Sequence, residues 1–209
     1  MKTCILSVML LLCAACASGL HSTAPASQVY LLRAPIVEAK ESAPRPATAS
    51  LQVARPLAGP GLDSDHIVIV EPEHRMSYYA GSQWAVALPV LVETLVVETL
   101  RGTGAWSAVN DSEGAFASEY YLQINIRQFE AEYTADPIPT ARVSFDCALG
   151  RRTSRELLAS FSVAGAAQAN GNRVGAVVAA FERAANAALS QLAERSALAV
   201  KSSQVPSTP

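Results

Sequence analysis

The residue with the most specific chemistry in this sequence is a cysteine near the N-terminus. A lysine follows the first methionine and residues 5–12 are apolar, a layout typical of a secretory signal rather than of a membrane-spanning helix. Two alanines precede Cys16, and small residues before a cysteine are what the lipoprotein signal peptidase accepts. We therefore predict that residues 1–15 are a signal peptide and that Cys16 is the site of lipidation. Cys13 stands where the pattern usually has leucine, so ordinary signal cleavage stays open as the alternative.

Cys147 is the other cysteine expected in the mature chain, since Cys4 and Cys13 leave with the signal. No internal disulfide is then available. A lone cysteine in an oxidising compartment is either a reactive thiol or a small buried hydrophobe. Cys147 alternates in phase with Val143, Phe145 and Leu149, and this pattern favours burial.

Residue sets typical of enzymes are missing from the sequence. There is no G-x-S-x-G elbow or P-loop, and no C-x-x-C pair lies beyond the predicted signal cleavage site. His66 and His74 lie near four acidic residues, Asp63, Asp65, Glu71 and Glu73, which raises the question of a metal cluster. A strand separates the two histidines and no helical ligand pair is present, so we interpret these groups as solvated loop charges. The sequence indicates no metal, no cofactor and no catalytic activity.

Three aromatic residues, Tyr78, Tyr79 and Trp84, cluster between a buried strand and the first helix. Amphipathic rings of this type favour interfaces, so the three are candidate partner contacts. The competing interpretation, which we prefer, is that they close the end of the core. Nucleic acid is excluded as a partner because the formal net charge is −2 and we find no concentrated basic patch.

Periodicity places the elements that must position these residues. A β-branched run at residues 67–70 predicts a strand covered on both faces, and Pro89 near the start of an amphipathic stretch predicts a helix over 89–101. Alternation predicts an antiparallel meander of three strands at 121–133, 140–149 and 156–163, with a bulge near 127–128 and with Leu157, Ala159, Phe161 and Val163 inward. A long amphipathic helix should open at Asn170 or Asn172 and pack its alanines closely on the sheet.

Composition sets the domain boundaries. Residues 16–50, rich in Ala, Ser and Pro, form the lipidated N-terminus and a flexible tether, with an edge strand near 30–34 that returns to the domain. Residues 51–198 form the domain. Residues 199–209 are polar with two prolines and are predicted to be a disordered tail.

Several motifs in this order resemble the auxiliary lipoprotein component of ABC-type transporters that move lipids with mammalian-cell-entry proteins. The matching segments are residues 53–57, 59–62, 75–81, Trp84, 88–89 and 97–101. The resemblance implies an α/β fold with a mixed, largely antiparallel sheet and two long helices packed on it, similar to the N-terminal domain of TolB.

The resemblance also implies a function. The chain would be a non-catalytic auxiliary lipoprotein that docks with a mammalian-cell-entry protein and its ABC permease and ATPase, supports lipid movement between inner and outer membranes, and assembles with copies of itself. Ala17, rather than an aspartate, follows Cys16, which indicates a lipid anchor at the periplasmic face of the outer membrane. Related folds imply the alternative, an outer-membrane lipoprotein that activates a periplasmic cell-wall enzyme.

Overall fold

Alternating apolar residues build one mixed sheet of nine strands, and two amphipathic helices cover one of its faces. The computed structural model describes residues 27–36 and 49–204. Cys16, the signal peptide, most of the predicted tether and the last five residues lie outside the described residues.

The elements have the following bounds. The strands are β1 (Gln28–Tyr30), β2 (Ser50–Val53), β3 (Leu57–Ala58), β4 (His66–Glu71), β5 (Arg75–Trp84), β6 (Ala108–Asn110), β7 (Tyr120–Glu132), β8 (Thr140–Arg151) and β9 (Glu156–Gln168). The helices are α1 (Leu88–Gly102) and α2 (Val174–Gln204), and one 3₁₀ turn, Pro72–His74, joins β4 to β5.

Strand β7 is the axis of the sheet. On one side it pairs antiparallel with β8, which pairs antiparallel with β9, so the predicted meander is confirmed. Along its other edge β7 pairs in parallel with three short strands in succession, first β2, then β3 and then β4. Strand β6 extends the sheet beyond β2, and β5 and then β1 extend it beyond β4. The long ladders are antiparallel, which confirms the predicted fold class.

The predicted bulge in β7 is present at the predicted place. Ile126 pairs with Phe145 and Gln128 with Ser144, so Arg127 is the extra residue. Even-numbered side chains of β7 are buried before the bulge and odd-numbered ones after it, which keeps the apolar side of the strand on the helices.

A second bulge makes one prediction wrong. Leu149 pairs with Ala159 but Gly150 pairs with Leu157, so Leu158 is the extra residue at the start of β9. The inserted residue reverses the facing of every side chain before it. Leu157, predicted to face inward, is therefore 63% exposed.

Helix α1 confirms the prediction, with Pro89 in its first turn and the predicted apolar stripe buried. Arg55, within the 53–57 motif, ties the helix to the sheet: its Nε lies 3.7 Å from Oε2 of the buried Glu93. The Glu93 Oε1 also accepts a hydrogen bond of 2.6 Å from the backbone N–H of Ser112. A buried carboxylate needs such partners because an unpaired charge is costly in the interior.

Helix α2 differs from its prediction at both ends. Its first hydrogen bonds accept at the carbonyl of Arg173, and the Asn172 side chain binds Tyr133 rather than capping the helix. At the other end the helix continues to Gln204, so residues 199–204 are not part of a disordered tail. The apolar stripe extends to Val200, whose burial holds the last turns on the domain.

Close contact between α2 and β9 depends on small residues, as predicted. Ala180, Ala184 and Ala188 are fully buried in the helix face that meets the sheet. On β9, a Cβ added at Gly165 would lie 2.0 Å from the carbonyl oxygen of Ala184. Only glycine fits at that separation.

The edge strand near residues 30–34 is present but lies earlier, at Gln28–Tyr30, where it pairs parallel with the end of β5.

The β-branched strand predicted at residues 67–70 is covered on both faces only in its first half. Ile67 and Val68 are buried, and the two residues that follow are half-buried.

Candidate functional site

The three predicted contact residues lie on one strand, β5, where the sequence had indicated only a short extended segment. β5 pairs antiparallel with β4, and Tyr78 lies opposite Val68. Val68 in turn lies beside Glu130, whose neighbours Phe129 and Ala131 point into the core. Because directly paired residues share a face, Tyr78 lies on the face of the sheet that carries no helix.

A bulge at Gly81 divides β5 into two halves with opposite facing. His66 pairs with Gln83 and Val68 with Tyr78, so residues 79–82 lie opposite the single residue Ile67. Gly81 has a φ of 63°, which a residue without Cβ adopts readily. The bulge turns Trp84 to the helix side, whereas Tyr78 stays on the open side.

Trp84 belongs to the core and is wrong as a partner contact. It is 1% exposed, and its ring meets Phe129 edge-on at 5.9 Å and Phe181 edge-on at 5.3 Å between centroids. Phe129 and Phe181 stack on each other at 5.2 Å. The preferred sequence interpretation, that this residue closes the end of the core, is therefore confirmed for Trp84.

Tyr79 links three elements inside the domain. Its hydroxyl lies 2.8 Å from the hydroxyl of Tyr133, which donates a hydrogen bond of 2.7 Å to Oδ1 of Asn172. Since Tyr133 has one proton and donates it to Asn172, Tyr79 must be the donor to Tyr133. Burial, and then the hydrogen bond with Tyr133, raise the pKa of Tyr79, so the Tyr79 phenol stays neutral.

Tyr78 is the one predicted contact residue whose side chain is open to solvent, at 45% exposure. Beside it lie Met76, 43% exposed, and the ring of His66, 4.8 Å from the Tyr78 ring. We call His66, Met76 and Tyr78 the open-face patch. Gly61 borders it, since a Cβ there would lie 2.5 Å from the Met76 sulfur. Strand alternation over residues 75–80, which puts Met76 on the same face as Tyr78, is the sequence signal for Met76.

The open-face patch borders an unpaired strand edge. β1 pairs only with residues 82–84 of β5, and no strand within residues 27–36 or 49–204 pairs with the outer edge of residues 75–81. An unpaired edge presents backbone N–H and C=O groups that can pair with another chain. Arg75, in an ion pair with Glu71, places charge at the start of this edge.

The structure shows the surroundings of the side chains that were candidates for chemistry, Cys147 and His66. Burial, with a smaller effect of the Asp146 charge, raises the pKa of Cys147 to about 12, so its thiol is protonated and unreactive in the fold. The His66 Nδ1 lies 3.8 Å from a carboxylate oxygen of Asp65. Among residues 27–36 and 49–204 no three His, Cys, Asp or Glu side chains are grouped to hold a metal ion. In the same ranges, no helix is long and apolar enough to cross a membrane.

Comparison with known proteins adds a family and a fold. The sequence profile of the ABC-type transport auxiliary lipoprotein component family matches residues 30–193. No curated protein matches the chain. A crystal structure of a protein from Xanthomonas campestris is similar with a TM-score of 0.78 and 24% identity, covering 86% of this chain and 100% of that one. A crystal structure of a further uncharacterized protein has a TM-score of 0.63 and 12% identity, covering 82% and 99%. These likenesses show a shared fold.

Proposed function

We propose a docking role for this chain, which belongs to the family of ABC-type transport auxiliary lipoprotein components. In this proposal the protein is a non-catalytic subunit, held by a lipid anchor at the periplasmic face of the outer membrane. It docks on a mammalian-cell-entry protein that works with an ABC permease and ATPase, and so supports lipid movement between the two membranes. The observation that carries the proposal is the open-face patch beside an unpaired strand edge.

Strand addition is the docking mode that this geometry favours. A partner strand laid along residues 75–81 would pair with the free backbone groups of β5. Tyr78 and Met76 would then supply adjacent side-chain contacts, one amphipathic and one adaptable. Copies of this domain around one mammalian-cell-entry assembly would each present the same edge.

The position of β1 sets how far the domain stands from its anchor. Ten residues of the predicted tether, 17–26, separate Cys16 from Ser27, which directly precedes β1. A flexible chain of that length has an end-to-end distance of roughly 20 Å. With Cys16 acylated, the domain would stay close to the membrane, and a rigid partner would have to bridge the remaining periplasm.

Cys16→Ala is expected to abolish the anchor. Two or three acyl chains hold a protein stably on a membrane where one does not. The variant should lose incorporation of a palmitate analogue and should move to the soluble periplasmic fraction. Labelling and membrane fractionation that persist in Cys16→Ala would contradict lipidation at this residue.

Tyr78→Asp combined with Met76→Ser is expected to reduce co-purification of the transport partners at least tenfold. A carboxylate buried in an interface without a partner costs several kcal/mol, and the two apolar contacts are lost as well. The measurement is affinity purification of the tagged full-length protein from cells, with the permease, the ATPase and the mammalian-cell-entry protein quantified.

Leu198→Asp is the matched control, because Leu198 is an exposed apolar residue on α2, away from β5. It should leave co-purification unchanged. If the Tyr78 and Met76 variant kept its partners in full, the patch would not be the docking surface. Recovery of a cell-wall synthase in place of transport proteins would favour the alternative function, an activator of a periplasmic enzyme.

A further inference from the structure

A cleft lies on the helix-free face of the sheet, at the opposite end from the open-face patch. It has a volume of about 420 Å³ and is formed by the hairpin between β8 and β9 together with the start of β7. Tyr121 of β7 lines the cleft. Glu130 lies level with the open-face patch and is nine residues further along β7 than Tyr121. At about 3.3 Å per residue the two sites are roughly 30 Å apart.

Three arginines line this cleft, Arg151, Arg152 and Arg155. None of them has a carboxylate oxygen within 4 Å among residues 27–36 and 49–204, although Arg55, Arg75, Arg127 and Arg142 each do. Glu156 also lines the cleft, as its one acidic residue, and forms no ion pair with them. The cleft is therefore a local excess of positive charge in a chain whose formal net charge is −2.

Arg152 is held in place without being neutralised. Arg152 donates a hydrogen bond to the side-chain amide oxygen of Gln52, and its guanidinium lies 5.9 Å from the centre of the Tyr121 ring. Arg151 lies 5.7 Å from the Tyr120 ring, but it pairs directly with Tyr120 and its side chain therefore lies on the helix side of the sheet, away from the cleft. The neutral contacts of Arg152 orient its guanidinium and leave its charge available to an anion.

Apolar residues form much of the remaining wall of the cleft, and Gln123 adds a polar amide. Leu157 is turned outward by the bulge at the start of β9, and Tyr121 and Ala148 lie on the same face. Gly150 forms part of the floor, where a Cβ would lie 2.8 Å from the backbone oxygen of Glu156. Bulges often re-aim a side chain at a functional site, and here the bulge places an exposed leucine in the same cleft as Arg152 and Arg155.

We propose that this cleft binds the phosphate-bearing headgroup of an anionic phospholipid. Arg152 and Arg155 would bind the phosphate oxygens, for which a guanidinium offers paired N–H donors. Leu157 and Tyr121 would contact the glycerol and the first methylenes of the acyl chains. A volume of about 420 Å³ is at the small end for a ligand site, so the acyl chains themselves stay in the membrane or in a partner protein. The sequence carries the signal, R-R-T-S-R at 151–155, in the segment between the second and third strands of the predicted meander.

Vesicle flotation tests the proposal with the mature chain carrying Cys16→Ser, so that an acyl anchor does not contribute. The chain should float with vesicles that contain phosphatidylglycerol and stay unbound with phosphatidylcholine alone. Each basic residue near an anionic surface contributes about 1 kcal/mol, so Arg152→Gln with Arg155→Gln should weaken binding roughly 30-fold. Glutamine at 155 keeps a side chain at the same left-handed backbone position, which has a φ of 56°. Circular dichroism must show that the variants fold.

Arg173→Gln is the control, because Arg173 is an exposed arginine at the start of α2 that forms no ion pair within the described residues. It should bind vesicles as the parent chain does. Leu157→Ser distinguishes a lipid from free phosphate: it should weaken vesicle binding, whereas competition by inorganic phosphate should be unchanged.

Equal flotation with both kinds of vesicle, or equal losses in the cleft and control variants, would overturn the proposal. So would full vesicle binding by Leu157→Ser together with tight binding of inorganic phosphate, since that would identify a site for the free anion. The inference does not rest on the docking role: its failure would leave co-purification through the open-face patch unaffected.

Discussion

Replacement of Trp84 by alanine is expected to lower the free energy of unfolding by about 3–5 kcal/mol. The indole is fully buried and meets Phe129 and Phe181 edge-on, and these two rings stack on each other. Its removal leaves a cavity where β5, β7 and α2 meet, and it also removes two aromatic pairs whose geometry adds to the area buried. Urea unfolding of the full chain, followed by circular dichroism, measures the change.

Tyr78→Ala is the matched comparison from the same strand, on the other side of the Gly81 bulge. Because Tyr78 is 45% exposed, its removal should change the free energy of unfolding by less than about 1 kcal/mol. The two aromatic residues that looked alike in the sequence should thus differ severalfold in their contribution to stability. Equal losses for the two variants would show that the bulge does not separate a core residue from a surface residue.

Gly165→Ala is expected to destabilise the domain by about 2–3 kcal/mol. The added Cβ would lie 2.0 Å from the Ala184 carbonyl oxygen, and both atoms belong to rigid elements, so α2 has to move away from β9. That movement would loosen the alanine face that the helix packs on the sheet. The same unfolding experiment measures it.

Gly175→Ala is the control for that substitution. Gly175 lies in the first turn of α2, and a Cβ there meets nothing within 4 Å. Alanine at this position should stabilise the domain by up to about 1 kcal/mol, since it favours the helix and restricts the unfolded chain. If Gly165→Ala were as stable as the parent protein, the close approach of α2 to β9 would be wrong.

Most of the fold followed from apolar periodicity. The β7–β9 meander, the bulge at Arg127 and helix α1 were predicted because alternation and helical spacing are local properties of the sequence. The long alanine-rich helix was predicted for the same reason, although its polar last turns were assigned to the tail. Val200 is buried and Ala199 packs against the core, so the apolar stripe continues into these last turns.

The errors have a common physical cause, because pairing between strands is not visible in either strand alone. β5 was not recognised as the hairpin partner of β4, since the turn between them uses the left-handed residues Glu73 and His74 in place of glycine. The bulges at Gly81 and Leu158 reverse the facing of Trp84 and Leu157. A sequence pattern cannot place such insertions unless, as in β7, both halves of the strand are long enough to show the change of phase.

Photocrosslinking in cells tests the docking role most directly. A photoreactive amino acid replaces Tyr78 in the full-length lipoprotein, and a second strain carries it at Leu198, on the exposed side of α2. We expect irradiation to join the Tyr78 position to the mammalian-cell-entry protein and the Leu198 position to yield no such product. Two results would contradict docking through the open face of the sheet. The membrane-bound protein could crosslink to that partner from Leu198 but not from Tyr78, or it could crosslink from neither position.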